Sequence, residues 1–413
     1  MPDGTDVIAG MRAEARRIFA AGVAAADPGR AVAGALAGLP APAGGRRIVA
    51  VGKAARRMTA AALEVLGPCP ALVVTNYENA EPLPGAEVLA AGHPVPDEAG
   101  ARAAEAVISF LAPLGAADQV VALISGGGSA LLPAPVEGVS LADKAGVNRL
   151  LLASGADIAE MNLIRQALSR LKGGGLLRVA APAPVTALIL SDVVGDDLRV
   201  IASGLTVAPV GGRAGARAAV EARGLWERLP ASVRAHLAAP ESAPAPLPGA
   251  DNRLIGSNAL SLAAMGRAAP GARVIEAPLA GDVAGAARLV LDTADAPGVW
   301  LFGGETTVVL RGQGQGGRNQ ELALRLALEA EARGLSGPWV FLSGGTDGRD
   351  GPTGAAGGLV DPGTLARVRA AGLDPATRLA DNDSHPVLAA AGDLLVTGAT
   401  GTNVADLQVF IRG

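Results

Sequence analysis

Residues 119–132, QVVALISGGGSALL, decide the fold class. The run QVVALI is apolar and rich in β-branched residues, which predicts a buried strand, and it ends abruptly in a glycine-rich loop that opens a helical segment. Strands alternating with helices in this way predict largely parallel sheets covered on both faces. Comparable junctions follow Arg47–Val51 (GKAARRM), Val185–Leu190 (SDVVGDD), Val299–Phe302 (GGETT), Trp339–Leu342 (SGGTDGRDG) and Leu394–Val396 (TGATGTNV).

The overall composition excludes several classes of protein. A chain of 413 residues predicts more than one domain, and a net charge of −4 with no basic run excludes nucleic-acid binding. The single cysteine, Cys69, excludes a disulfide framework. The N-terminus lacks the apolar core of a signal peptide, and Gly and Pro interrupt the apolar stretches, so we expect no membrane span and a cytoplasmic location.

We expect two α/β domains. An N-terminal domain is predicted over residues 5–245 and a C-terminal domain over residues 296–411, with residues 246–295 as a connecting segment. The Ala- and Pro-rich stretch 231–251 is the best candidate for a linker. Helices are predicted over Asp97–Leu111, with an acidic start, and over the amphipathic stretch Asn319–Arg333.

Two glycine-rich loops are candidate anion sites. Consecutive glycines leave backbone N–H groups open to a phosphate or carboxylate, and a following helix adds partial positive charge. The alternatives are a tight turn in SGGGSALL and a helix C-terminus in LSRLKGGGLLR, residues 168–178. The candidate phosphate- and nucleotide-binding residues are Ser125, Gly126, Gly127, Gly128 and Ser129 in the first loop and Lys172, Gly173 and Gly174 in the second.

Lysine is rare in this chain. Only three of its 35 basic residues are lysines, namely Lys53, Lys144 and Lys172. Lys53 follows the predicted strand Arg47–Val51 by two residues, a position from which an ammonium can neutralise a phosphate. The motif GxxxxGK[ST] is absent from the sequence, which excludes P-loop kinases.

Carboxylates follow other predicted strands. Asp192, Glu305 and Asp347 are candidate Mg²⁺ ligands, because Mg²⁺ takes one or two carboxylates together with waters and phosphate oxygens. The alternative is that such residues cap turns. His93, His236 and His385 lack the spacing of a zinc site and suggest no role by themselves.

The stretch RGQGQGGRNQE, residues 311–321, satisfies G-x-G-x-x-G and allows an NAD(P) site. The strand that should end in an acidic residue about 20 positions later ends instead in Ser343-Gly344-Gly345, which weakens this interpretation. Arg318 is better placed to fork onto a carboxylate or phosphate, with Asn319 and Glu321 beside it as candidate substrate-binding residues.

Taken together and in order, the motifs resemble those of type II glycerate kinases (glycerate 2-kinases) that carry a C-terminal MOFRL domain. The resemblance covers about residues 10 to 410. The motifs are VGKAA, AGHPVPDE, SGGGSALL, LSRLKGG, LSDVVGDD with IASG, GGETTV, GGRNQELAL, SGGTDGRDGPT, NDS and TGATGTNVADL.

This resemblance implies phosphorylation of D-glycerate at its 2-hydroxyl by ATP with Mg²⁺, giving 2-phosphoglycerate and ADP in a cleft between the domains. It implies two three-layer α/β/α domains, the first Rossmann-like with a mostly parallel sheet and the second with a mixed sheet. Partners would be small molecules, without nucleic acid or membrane, and the sequence allows a homodimer without requiring one.

Carried over by position, Lys53 and Arg318 match the family's basic residues, Ser125–Ser129 match its phosphate loop, and Asp192, Glu305 and Asp347 match its acidic loops. We assign Lys53, Arg318 and Asp192 to catalysis, with Asp192 holding Mg²⁺ or accepting the hydroxyl proton. The chain departs from the family pattern at Gln166-Ala167, Leu205, Gly354 and Ala399. The alternative functions are an NAD(P)H-dependent hydroxypyruvate reductase and a nucleotide-binding sensor without turnover.

Overall fold

The computed structural model describes residues 4–240 and 246–413. Numbered in chain order, the strands are β1 Arg46–Val51, β2 Ala71–Asn76, β3 Glu87–Ala91, β4 Gln119–Ile124, β5 Val185–Leu190, β6 Ala250–Gly256, β7 Arg273–Val274, β8 Leu279–Asp282, β9 Gly298–Thr307, β10 Trp339–Gly345, β11 Gly357–Val360, β12 Leu394–Leu395 and β13 Asp406–Arg412.

The helices are α1 Gly4–Ala25, α2 Pro28–Leu36, α3 Ala55–Leu66, α4 Glu98–Leu111, α5 Gly128–Leu131, α6 Leu141–Ala153, α7 Ile158–Ala167, α8 Gly175–Ala180, α9 Arg213–Ala222, α10 Ala231–Ala238, α11 Asn258–Ala268, α12 Val283–Thr293, α13 Arg318–Ala332, α14 Thr364–Ala370, α15 Pro375–Ala380 and α16 Ser384–Ala391. Among the described residues, none of these helices is both long and apolar enough to cross a bilayer.

The chain folds into two units, and the first comprises residues 28–255. Its six-stranded sheet has the order β3-β2-β1-β4-β5-β6, the order of a doubly wound nucleotide-binding fold. Strands β1 to β5 pair in parallel. In such a sheet ligands bind outside the carboxyl ends of the strands where the order reverses, here between β1 and β4. The predicted Rossmann-like domain is confirmed.

The second unit contains a mixed seven-stranded sheet, as predicted. Its order is β12-β11-β10-β13-β9-β7, with β8 also paired to β9. Strand β13 is central and antiparallel to both β10 and β9, whereas β7 and β8 are parallel to β9. Phe302, Phe341 and Phe410, three of the few aromatic residues, are fully buried in this unit.

The first helix of the chain belongs to the second unit, together with residues 256–413. Ile18 and Phe19 pack with Met265 and Leu407 in one hydrophobic cluster, and Arg12 pairs with buried carboxylates of that unit. The domain prediction therefore differs in two places. Residues 5–27 lie in the C-terminal unit rather than the N-terminal one, and residues 256–295 belong to the C-terminal unit instead of forming a connector.

Several predicted elements have different bounds. Strand β9 continues through GGETT, because Gly303 and Gly304 leave room for Asn258 and for the backbone of Leu279. Within the stretch predicted as a linker, Ala231–Ala238 is a helix with Val233 buried, residues 241–245 lie outside the described residues, and β6 follows. The predicted acidic start of α4 is confirmed, since the Asp97 carboxylate accepts a hydrogen bond from the Gly100 amide.

Candidate functional site

In the first unit, the loops that follow β1 and β4 are joined to each other. The Lys53 amide donates to the Gly126 carbonyl at 2.9 Å, and the Ala54 amide donates to Ser125 Oγ at 3.1 Å. Gly52 has φ of +122°, and a Cβ there would lie 2.2 Å from Ser125 Oγ. These contacts hold Lys53 against the glycine loop at the point where the strand order reverses. The Ser125 hydroxyl itself is buried in the turn.

The side chain of His93 also lies beside this glycine loop. A Cβ on Gly127 would lie 3.2 Å from His93 Nε2 and 3.4 Å from Lys53 Cγ, so both side chains lie over this glycine. Burial, and then the neighbouring ammonium of Lys53, lowers the pKa of His93, which keeps the imidazole neutral at pH 7. The sequence reasoning gave His93 no role. The only available signal was its place in the motif AGHPVPDE.

Asp192 lies against the other end of the loop. A Cβ on Gly126 would lie 2.1 Å from Asp192 Oδ2, so the carboxylate occupies the space that a side chain would need. Within the described residues, the amides of Gly126, Gly127 and Gly128 donate no hydrogen bond. The loop therefore offers unused N–H donors between an ammonium and a carboxylate, which suits a phosphate accompanied by a cation.

We expect Gly126→Ala to lower turnover about 10²-fold or more, because the added methyl displaces the Asp192 carboxylate from the glycine loop. Steady-state kinetics with the substrates that the family resemblance implies, glycerate and ATP, measure the effect, and urea unfolding measures stability. Gly34→Ala is the matched control, since a Cβ on Gly34 in α2 meets nothing within 4 Å. Equal kinetics for the two variants would contradict a role for this contact.

In the second glycine run, residues 173–175, the first two backbone amides already donate hydrogen bonds to other parts of the protein. The amides of Gly173 and Gly174 donate to the carbonyls of Ser203 and Gly204 at 3.1 and 2.8 Å. Gly174 precedes α8, whereas α7 already ends at Ala167, so the glycines begin a helix and do not end one. The prediction that Gly173 and Gly174 bind phosphate does not fit these hydrogen bonds.

Lys172 is buried behind the first loop. Its Nζ donates to Ser129 O at 2.7 Å and to Ser129 Oγ at 3.0 Å, and Ser129 Oγ lies 2.8 Å from Ser203 Oγ. Only 6% of the residue is exposed. Burial, followed by the charges of Lys144 and Arg165, lowers the pKa of Lys172. Lys172 therefore lies behind the glycine loop and not on its open side. This position does not fit the prediction that Lys172 binds the phosphates of a nucleotide.

In the second unit, Arg318 forms a fork with a buried carboxylate. Its Nε and Nη2 donate to Asp406 at 2.6 and 3.0 Å, and its Nη1 donates to Glu305 at 2.7 Å. Arg318 is the first residue of α13, Glu305 lies in β9, and Asp406 is the first residue of the central strand β13. Asp406 was missed by the sequence reasoning, because β13 was not predicted.

Asp406 is fully buried, and burial raises its pKa to about 6 even though the Arg318 guanidinium opposes the shift. A carboxyl whose folded pKa lies above its unfolded value stabilises the fold while protonated, and this stabilisation is lost as pH rises from about 4 to about 6. We expect the free energy of unfolding of wild type, relative to Asp406→Asn, to fall by up to about 1.4 kcal/mol per pH unit in this window.

Urea unfolding of both proteins at half-unit steps from pH 4 to 7 measures this difference. Subtracting the free energy of unfolding of Asp406→Asn from that of wild type at each pH removes the contribution of the carboxylates that both proteins share. A difference that stays constant with pH would contradict the burial of a titrating Asp406.

The residues after Arg318 stabilise the fold. Asp350 accepts hydrogen bonds from the amides of Asn319 and Gln320, and it thereby caps α13 from another loop. Asn319 Oδ1 accepts from Ser343 Oγ at 2.6 Å, and the carboxylate of Glu321 accepts from Arg325 and Asn382. Asn319 and Glu321 are buried, so the prediction that they bind substrate does not fit their contacts.

The G-x-G-x-x-G stretch is also explained by packing. The amides of Arg311 and Gly312 donate to Asn382 Oδ1, and the amides of Gln313 and Gln315 donate to the carboxylates of Asp381 and Asp383. Side chains on Gly312, Gly314, Gly316 and Gly317 would collide with residues 381–384 and Asp350. These glycines allow close approach of other parts of the protein, and the backbone amides of residues 311–315 already donate hydrogen bonds to residues 381–383.

The predicted metal ligands are divided between the two units. Within residues 4–240 and 246–413, no group of three or more His, Cys, Asp or Glu side chains could hold a metal ion. Asp192 belongs to the first unit, whereas Glu305 and Asp347 belong to the second. Glu305 is paired with Arg318, and Asp347 Oδ1 accepts from the Arg349 amide at 3.0 Å.

Comparison with known proteins agrees with this architecture. Residues 14–238 match a family described as a domain of unknown function, DUF4147, and residues 298–406 match the MOFRL family. A crystal structure of a glycerate kinase from Thermotoga maritima has a TM-score of 0.91 and 38% identity, covering 98% of this chain and all of that one. The chain belongs to the glycerate 2-kinase family.

Relatives in the glycerate 2-kinase family cover most of the chain. A D-glycerate 2-kinase of Thermotoga maritima is 40% identical over 88% of this chain and 89% of its own length. A glycerate 2-kinase of Pyrococcus horikoshii is 37% identical over 88% and 86%, respectively. A protein of Agrobacterium vitis that carries the name of a hydroxypyruvate reductase is 43% identical over 96% and 94%.

Proposed function

We propose that this protein is a kinase that transfers the γ-phosphoryl group of ATP to the 2-hydroxyl of D-glycerate, giving 2-phosphoglycerate and ADP, with Mg²⁺ required. The observation that carries the proposal is the arrangement around Gly126–Gly128. Unused backbone donors lie between the Lys53 ammonium and the Asp192 carboxylate, at the switch point of a doubly wound sheet.

Phosphoryl transfer depends mainly on positioning and on charge neutralisation. The amides of Gly126, Gly127 and Gly128 would bind phosphate oxygens, and Lys53 would neutralise the charge that develops on the transferring group. The neutral imidazole of His93 and the Asp192 carboxylate are bases that lie beside the loop, and either can accept the hydroxyl proton. We also assign a catalytic role in this reaction to the guanidinium of Arg318, which belongs to the second unit.

The residues present suit Mg²⁺ bound through the nucleotide. Mg²⁺ takes one or two protein carboxylates and completes its shell with waters and phosphate oxygens, so it needs no three-residue cluster. Asp192 fits this role best, because its carboxylate lies against the phosphate loop. When bound, the ion would neutralise charge on the phosphates. We do not assign Glu305, which is paired with Arg318, and Asp347 stays a secondary candidate.

The second candidate function, reduction of hydroxypyruvate by NAD(P)H, follows from the names of some relatives and from the G-x-G-x-x-G stretch. The contacts of that stretch argue against it, because a dinucleotide site needs backbone donors open to a pyrophosphate. The donors of residues 311–315 are instead occupied by residues 381–383.

One set of assays separates these functions. D-glycerate, ATP and Mg²⁺ should release ADP, and enolase added afterwards should convert the product directly, since enolase accepts 2-phosphoglycerate and not 3-phosphoglycerate. L-glycerate and omission of Mg²⁺ test the enantiomer and the metal. Hydroxypyruvate with NADH or NADPH should give no loss of absorbance. Nicotinamide oxidation without ADP release would overturn the proposal, and a product inert to enolase would overturn the 2-hydroxyl assignment.

A further inference from the structure

Three cationic side chains lie together behind the glycine loop of the first unit. Lys144 lies in α6, Arg165 in α7, and Lys172 just before α8. Lys144 Nζ donates to the carbonyl of Pro133, Lys172 Nζ donates to Ser129, and the Arg165 guanidinium donates to Asn148 Oδ1. Every one of these acceptors is neutral. Within the described part of the chain, no carboxylate pairs with any of the three.

Such a cluster of buried cations lowers the stability of the folded protein. A buried cation without a counter-ion loses its hydration, and like charges close together repel. Both effects lower pKa values here. Burial and then the charge of Arg165 lower the pKa of Lys144 to about 7, and burial followed by the charges of Lys144 and Arg165 lowers the pKa of Lys172. Apolar side chains would fill the same space at lower cost, so structural packing alone does not explain three cations.

One neighbouring side chain, Asn162, also has a donor without an acceptor among the described residues. Asn162 is 2% exposed, its Oδ1 accepts from Ser203 Oγ at 3.2 Å, and its Nδ2 has no partner among the described residues. Ser203 and Ala202 have φ of +58° and +49°, a strained backbone for residues other than glycine. Strain of this kind is concentrated at binding sites. Lys172 and Ser203 both contact Ser129, the half-buried residue that ends the glycine loop, and Asn162 contacts Ser203.

We propose that Lys144, Arg165 and Lys172, with Ser129 and Asn162, form the binding site for the carboxylate of the hydroxy-acid substrate. This inference rests on the proposed function. The cluster lacks the negative charge that a carboxylate brings, and the largely buried position suits a small group with one charge. A triphosphate with its metal ion needs the open side of the loop, where Lys53 and Asp192 lie.

The test compares the KM values for the two substrates. Lys144→Met and Lys172→Met should each raise KM for D-glycerate at least tenfold, while KM for ATP stays within twofold. Arg149→Met is the matched control, because it removes an exposed positive charge from the same helix α6, and it should leave both constants unchanged. Lys144 is less buried than Lys172, so Lys144→Met keeps the test valid should Lys172→Met fail to fold.

Calorimetry with D-glycerate alone separates this inference from the proposed function. Wild type should bind D-glycerate in the absence of ATP, and Lys144→Met should bind it at least tenfold more weakly. If wild type binds D-glycerate in this Lys144-dependent way but releases no ADP, the kinase proposal fails and the site stands. A rise in KM for ATP instead of D-glycerate would identify a phosphate site and overturn the carboxylate assignment, as would unchanged constants in both lysine variants.

Discussion

Replacing Lys53 by alanine should lower kcat for the proposed ATP-dependent phosphorylation of glycerate about 10³-fold. The side chain is exposed over Gly127, and the Lys53 backbone amide donates a hydrogen bond to the Gly126 carbonyl in the loop after β4. Alanine keeps that amide, so the free energy of unfolding should change by no more than about 0.5 kcal/mol. Single-turnover kinetics measure the phosphoryl-transfer step, and urea unfolding measures stability.

Two further variants define the cause of the loss. Lys53→Arg keeps the charge but spreads it over a planar group, and we expect it to recover only part of the rate. Arg56→Ala removes a cation from α3, the helix that begins two residues after Lys53, where the guanidinium donates to the carbonyls of Glu81 and Pro82, and this variant should remain active. A Lys53→Ala protein with near-normal turnover would rule out a catalytic role for the ammonium.

Replacing Arg318 by alanine should lower both activity and stability. Turnover should fall at least 10²-fold if the guanidinium neutralises charge in the reaction. The same change leaves the fully buried Asp406 without its partner, and removal of one member of a buried ion pair costs about 3–5 kcal/mol. Arg318 is one-third exposed, so we expect a loss at or below the lower end of that range.

A double variant separates the two effects. In Arg318→Ala with Asp406→Asn, no buried charge is left unpaired, so most of the lost stability should return while turnover stays low. Arg325→Ala on the same helix removes a pair with Glu321 and should leave turnover near wild type. Recovery of activity together with stability in the double variant would show that Arg318 acts only through the fold.

The fold was largely predictable because its signals are local. Short β-branched runs, each followed by a glycine-bearing junction and a helix, predict a doubly wound sheet from neighbouring residues alone. The position of Lys53 and SGGGSALL at the ends of β1 and β4 was predictable for the same reason. The order of the sheet then makes these two ends adjacent.

The contacts between distant segments were not predictable in this way. Gly312 and Gly314 satisfy a dinucleotide motif, yet their conformation is determined by residues 381–383, which no local pattern identifies. Asp406 becomes important only once β13 pairs between β9 and β10. His93 carries no signal until the loop after β3 lies beside Gly127. The role of a single residue such as Asp406 or His93 depends on neighbours that are distant in the sequence. Repeated local patterns, in contrast, are enough to predict strands and helices.

The position of α1 in the second unit has a consequence for synthesis. This helix is synthesised before residues 28–255, but its packing partners Met265, Val340 and Leu407 are made only after them. The six-stranded unit can therefore finish folding while α1 still exposes Ile18 and Phe19. During that interval α1 presents an exposed apolar surface, where we expect a chaperone to bind.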